Sequence, residues 1–142
     1  MDREKVLQAL YSYDVLKEQC VDLAYILFEE NPSCPISFSN YVQDIIIHRG
    51  QLDSLISLSS HRWPANRMSI VDRNIMRIAA YELVILRNPF FKIVINDAIE
   101  MAKRFSSEQS SKFINGVLDK LYHDAISEDS FATDIYLEKI VA

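Results

Sequence analysis

Lys112, Phe113, Gly116 and Lys120 occur together in the stretch Lys112-Phe113-Ile114-Asn115-Gly116-Val117-Leu118-Asp119-Lys120. On a helix, Lys112, Gly116 and Lys120 share one face, with Phe113 beside it. An aromatic ring flanked by cations can stack a nucleic-acid base while the cations hold phosphate. Phe113 can equally be a ring at the edge of a core, because Ile114, Val117, Leu118 and Leu121 form the apolar stripe next to it. Spacing alone leaves both readings open. Gly116 inside a helix costs about 1 kcal/mol relative to alanine, so a close approach by another backbone or a partner would be its physical rationale.

Arg73 and Arg77 lie one helical turn apart, a like-charge pair that is unfavourable unless an anion sits between them. Pairing with Asp72, Glu82 or Asp119 is the expected resolution, and phosphate contact is the alternative. No other constellation carries chemistry. His48, His61 and His123 are scattered and match no metal-ligand pattern. The serines form no nucleophile elbow, and with only 2 Gly in 142 residues there is no phosphate-cradling loop. The expectation is a protein without catalytic residues, metal or cofactor.

The charge balance narrows the partners. The net charge is −5, and residues 124–142 hold −4 of it, leaving −1 for residues 1–123. Such a chain cannot coat nucleic acid by charge alone, so any RNA site must be local. Cys20 and Cys34 fit neither a CxxC site nor a disulfide-dense scaffold, which points to the reducing cytoplasm. No apolar run approaches the roughly 18 residues that span a bilayer, and no apolar stretch follows the charged start, so neither a membrane segment nor a leader is expected.

Helices must position these residues, since 49% hydrophobic residues and scarce glycine argue against a turn-rich β fold. A first helix over 3–18 carries Val6, Leu7, Leu10, Tyr11 and Tyr13. A second over 21–30 is stopped by Asn31-Pro32-Ser33-Cys34-Pro35. Ser37 or Ser39 would cap a third, which runs through Ile45-Ile46-Ile47 to His48 with Gly50 just past its end. Leu52, Leu55, Ile56 and Leu58 make a fourth.

Ser69 with Asp72 resembles a capping box opening a fifth helix, which is apolar on nearly every side and ends at Asn88-Pro89. That helix is the expected central post. The sixth buries Ile95, Ala98, Ile99, Ala102 and Phe105, while Glu100 pairs with Lys103 or Arg104 on its wet face. The seventh opens with a capping-box spacing from Ser106 to Gln109, and 131–141 is an optional eighth. The expectation is an all-α single domain over 1–142. It comprises an N-terminal sub-bundle in 1–62, a C-terminal sub-bundle in 63–123 and an acidic extension in 124–142.

Four ordered blocks resemble the NusB family of bacterial antitermination factors: Val71-Asp72-Arg73, Arg77-Ile78-Ala79-Ala80-Tyr81-Glu82-Leu83, Ile95-Asn96-Asp97-Ala98-Ile99-Glu100-Met101-Ala102-Lys103, and the Lys112 to Lys120 stretch. Gln8-Ala9-Leu10-Tyr11-Ser12 is a weaker echo in the first helix. The resemblance implies about seven helices in two packed sub-bundles. It also implies a non-enzymatic adaptor that binds boxA-type RNA together with the ribosomal protein NusE, acting on RNA polymerase through the antitermination complex.

By matched motif, the partner-facing residues would be Asp72, Glu108, Gln109, Lys112 and Phe113. The RNA-facing residues would be Lys112, Phe113 and Lys120, with Arg3 and Lys5 at the start. The family carries an arginine-rich segment there, whereas only Met1-Asp2-Arg3-Glu4-Lys5 precedes Val6. Ser106 and Gln109 stand where the family tends to have Gly and Asp. RNA binding by the protein alone is therefore expected to be weak and to rise with NusE. The alternative is a NusB-like protein-interaction module that has lost its RNA role.

Overall fold

Ser69 starts the helix on which the other elements pack: its hydroxyl accepts the Asp72 backbone N–H at 3.1 Å, satisfying one of the donors that a helix start leaves unpaired. In a computed structural model that describes residues 2–16, 36–61 and 63–125, this helix is α4 (Ile70–Ala80), and it runs on through a π turn (Tyr81–Ile85). Around it stand α1 (Arg3–Leu16), α2 (Ile36–Ile47), α3 (Arg49–Ser59), a 3-10 turn (Ala65–Arg67), α5 (Phe91–Phe105) and α6 (Glu108–Ala125). No strand occurs among the described residues. The expected helix at 21–30, the proline loop after it, both cysteines and the optional helix at 131–141 lie outside them.

Every residue from 74 to 84 is buried, as the apolar surround of the fifth predicted helix requires. α4 packs against α1, α3, α5 and α6, while α5 and α6 run antiparallel against each other. Their far end is closed by Phe91 stacked on Tyr122, with ring centroids 4.1 Å apart. Ile75, Ile78, Leu118 and Leu121 sit at this junction almost without solvent contact. Burying each contributes roughly 1.5–3 kcal/mol.

Several local expectations shift. Gly50 is not a left-handed residue past a helix end: α3 begins at Arg49, and no glycine has positive φ. Ser37 and Ser39 fall inside α2 and cap nothing at its start; Ser39 Oγ instead accepts a hydrogen bond from Gln43 at 3.2 Å. The cap of α6 is Ser107, one residue later than expected, with its hydroxyl accepting the Ser110 N–H at 3.0 Å. The buried stripe of α5 is Val94, Ala98, Met101 and Ala102. Ile95 and Ile99 are half-buried, and Phe105 is 45% exposed. The α6 stripe of Ile114, Val117, Leu118 and Leu121 is as expected.

The π turn has no counterpart in the sequence reading. Leu86 N bonds Tyr81 O at 3.0 Å, and Asn88 N reaches Glu82 O at 2.9 Å. Arg87 then takes a left-handed φ of 54°, and Asn88 Oδ1 accepts the Phe90 N–H at 2.9 Å, turning the chain into α5.

Candidate functional site

Two helix starts meet at the proposed partner face. Asp72 lies in the first turn of α4 and accepts a hydrogen bond from Ser110 Oγ, in the first turn of α6, at 2.9 Å. Its other carboxylate oxygen is shielded from solvent and has no hydrogen-bond partner among the described residues. Asp72, Gln109 and Phe113 line one groove of about 610 Å³ with Ser110, Trp63 and Arg67. Trp63 is 49% exposed and Phe113 36%, so two aromatic rings border this groove beside the polar side chains of Asp72, Gln109 and Ser110. Phe113 is thus an edge residue beside the α6 stripe, and Trp63 and Arg67 join it at the groove without being among the sequence-predicted site residues. A tryptophan before a proline, outside any helix stripe, was the available signal for Trp63.

Lys112 and Gly116 are exposed on the same helix. A methyl group added at Gly116 would meet nothing within 4 Å, so among the described residues no other backbone approaches it. The face from Lys112 past Gly116 is low and open. Lys120 belongs to it but is partly engaged, its ammonium 2.9 Å from Asp124. Glu108 is exposed at the mouth of the helix, where a carboxylate suits the helix dipole.

The amino-terminal cations part ways. Arg3 turns inward: Nε and Nη2 donate to the two oxygens of Glu82 at 2.6 and 2.9 Å, and Nη1 donates to Asp97. Burial alone would favour a neutral Glu82, but the hydrogen bonds and charge of Arg3 outweigh it and hold the carboxyl below its ordinary range. Arg3 therefore ties α1 to the π turn and to α5. Lys5 stays exposed and lines a second groove, of about 540 Å³, with Tyr11, Val71, Arg104 and Phe105. Val71 borders this groove and Asp72 the other, so the two flank the start of α4. Tyr11 and Phe105 are 44% and 45% exposed here.

Arg73 and Arg77 resolve their repulsion as expected, through carboxylates, but not through Asp72, Glu82 or Asp119. Arg77 grips Asp53 on α3 with Nε and Nη2 at 2.7 and 2.6 Å, and its Nη1 reaches Asp14 on α1 at 3.1 Å. Arg73 reaches the same Asp14 oxygen at 3.3 Å, and Asn74 Nδ2 does so at 2.8 Å. Burial works against the Arg77 charge, yet Asp53 and Asp14 raise its pKa above the ordinary value. These arginines are structural pins. His48 and His123 lie against the backbone carbonyls of Asp44 and Asp119 at 2.8 and 2.9 Å. Among the described residues no three His, Cys, Asp or Glu side chains gather to hold a metal, and no helix is long and apolar enough to cross a membrane.

The all-helical architecture agrees with the comparisons. The sequence model of the NusB family matches residues 1–123. The chain belongs to the NusB family. It is 41% identical over 124 residues to the transcription antitermination protein NusB of Elusimicrobium minutum, covering 84% of this chain and 89% of that one. To NusB of Bacillus subtilis it is 37% identical over 122 residues, covering 86% and 92%. NusB of Chloroherpeton thalassium is longer: the match, 37% identical over 130 residues, covers 89% of this chain but 62% of that protein. The solved structure of Thermotoga maritima NusB superposes with a TM-score of 0.76 at 33% identity, covering 91% of this chain and 93% of that one. A crystal structure of the antitermination factors NusB and NusE with double-stranded RNA shares the fold, with a TM-score of 0.67 at 23% identity over 87% of this chain and 98% of that one.

Proposed function

We propose that this protein is a transcription antitermination adaptor, binding boxA-type RNA together with the ribosomal protein NusE so as to modify elongating RNA polymerase in the cytoplasm. It is not an enzyme: the NusB family acts by holding partners together. What supports the reading is the groove between Trp63 and Phe113, where two exposed rings stand beside the polar side chains of Asp72, Gln109 and Ser110. In this reading Asp72, Glu108 and Gln109 face the ribosomal protein. Lys112 and Phe113 serve the shared edge, and Lys5 and Lys120 add phosphate contacts. Arg3 contributes indirectly, by fixing the start of α1 and so the placement of Lys5.

The test is an RNA titration with and without NusE, on the wild type and on Phe113→Ala. Affinity should rise sharply when the partner is added, because a chain of net charge −5 has few cations with which to release counterions. Phe113→Ala should weaken the ternary complex and leave the melt unchanged. Failure of the wild type to bind the partner, or of the partner to alter RNA affinity, would sink the adaptor reading. A protein-interaction module without an RNA role would then take its place, a reading favoured by the engagement of Arg3 with Glu82 and Asp97.

A further inference from the structure

Trp63 is the single tryptophan of the chain, and its half-exposed ring stands on a backbone that is pinned on both sides. The Ser60 hydroxyl donates to the Trp63 carbonyl at 2.5 Å. Pro64 then leads into the 3-10 turn, where the Ala65 N–H donates to Ser57 Oγ at 3.0 Å and the Arg67 N–H to the Pro64 carbonyl at 3.0 Å. An indole held out on such a segment gives up little conformational freedom when something packs on it. Arg67, at the end of the same turn, is exposed and makes no ion pair among the described residues.

On α6, the other element lining the groove, Phe113 and Lys112 repeat the pairing of an exposed ring with an exposed cation. Single-stranded nucleic acid is held by this combination, since each base offers a face for stacking and each phosphate a charge. The groove has room for a base: its volume of about 610 Å³ lies within the roughly 300–1,000 Å³ of clefts that enclose drug-sized ligands. Asp72 lines the same groove and repels phosphate, so a bound strand must turn its bases inward and keep its backbone to the cations.

We infer that Trp63 and Arg67 form a second nucleotide subsite for single-stranded RNA, with Trp63 stacking a base next to the one on Phe113 and Arg67 holding a phosphate. This rests on the RNA-binding reading above and extends it from α6 to the 3-10 turn. Stacking reads no base edge, so the subsite adds affinity for a single strand without choosing among bases. A duplex keeps its bases stacked on one another and has no free face to offer.

The lone tryptophan supplies the probe. Indole emission of the full chain is followed as single-stranded boxA-type RNA is added in the presence of NusE, and the same titration of Trp63→Phe is subtracted to remove any signal from the partner. Trp63 emission should be quenched to a plateau as binding saturates, and an abasic ribose-phosphate chain of equal length should leave it unchanged. Trp63→Ala should weaken RNA binding in the ternary complex about tenfold, and Trp63→Phe, which keeps a ring, much less. Arg67→Ala should lower the slope of log affinity against log salt by roughly 0.7, one phosphate contact on a single strand. If RNA binds and responds to Phe113→Ala while Trp63 emission stays flat and Trp63→Ala binds like the wild type, the inference is overturned and the RNA-binding reading stands. Equal quenching by the abasic chain, or a change produced by NusE alone to which RNA adds nothing, would also overturn it, the latter by assigning the ring to the protein contact. RNA that does not bind at all would overturn both readings.

Discussion

Arg3 closes on Glu82 across 79 positions of sequence, with Nε 2.6 Å and Nη2 2.9 Å from the two carboxylate oxygens. Both side chains are largely out of solvent, 18% and 7% exposed, so neither charge tolerates the loss of the other. Arg3→Ala should lower stability by about 2–3 kcal/mol, because it strands a buried carboxylate. Adding Glu82→Gln to that variant should recover part of the loss. Urea midpoints for the two single variants and the double variant would check this; simple additivity would mean that the pair is not coupled.

Acid should undo the same contact. Glu82 has a folded pKa below its ordinary 4.5, the usual carboxylate case. Its contribution is therefore fully present above that ordinary value and disappears as pH falls through the lower, folded one. Stability of the wild type should drop below about pH 4.5 more steeply than that of Glu82→Gln. Parallel slopes in acid melts of the two proteins would contradict the assignment.

Ala79 is 2% exposed between Ile78 and Ala80, both fully buried. Ala79→Asp places a carboxylate with no cation provided for it inside the central post, at a cost of several kcal/mol or a raised pKa. The expected result is loss of the cooperative melt. A variant that melts near the parent's temperature would show that α4 is not the centre of the fold.

Gly116 offers a cleaner test of the open face. With nothing within 4 Å of an added Cβ, Gly116→Ala should stabilise the isolated protein by about 1 kcal/mol. A partner that packs on the face should then bind it less well. Stabilisation with no change in the ternary complex would remove Gly116 from the interface.

Salt dependence separates the two lysines of that face. Lys112→Ala should reduce the slope of log affinity for RNA against log salt by about one, the signature of one lost phosphate contact. Lys120→Ala should change it less, since Lys120 already lies 2.9 Å from Asp124. An unaltered slope for Lys112→Ala would place that cation off the RNA.

What could be read from the sequence was local. The Ser69 cap, the apolar surround of residues 74–84 and the α6 stripe each follow from spacings of three and four residues, and each is present. The edge position of Phe113 came from the same periodicity. The ion-pair partners were beyond reach because Asp14 meets Arg73 and Arg77 from 59 and 63 positions away. Nothing local distinguishes it from other acidic residues. Arg3 looked available for RNA for the same reason. Trp63 and Arg67 carry no local sign of a shared site, because the groove they share with Phe113 forms only when the 3-10 turn is brought against the start of α6.

The π turn at Tyr81–Ile85 makes the central helix tolerant of a change that helices normally resist. An ordinary helix that loses one residue rotates everything downstream by about 100° and turns its buried face into the wet one. A π turn already stores one surplus residue, so a deletion inside it can relax to α geometry while the flanking segments keep their orientation. Arg77 could then stay on Asp53 and the Asn88 turn could stay in place. Along this buried post, residues 81–85 are the stretch where a one-residue deletion that spares Glu82 could be absorbed by a return to α geometry.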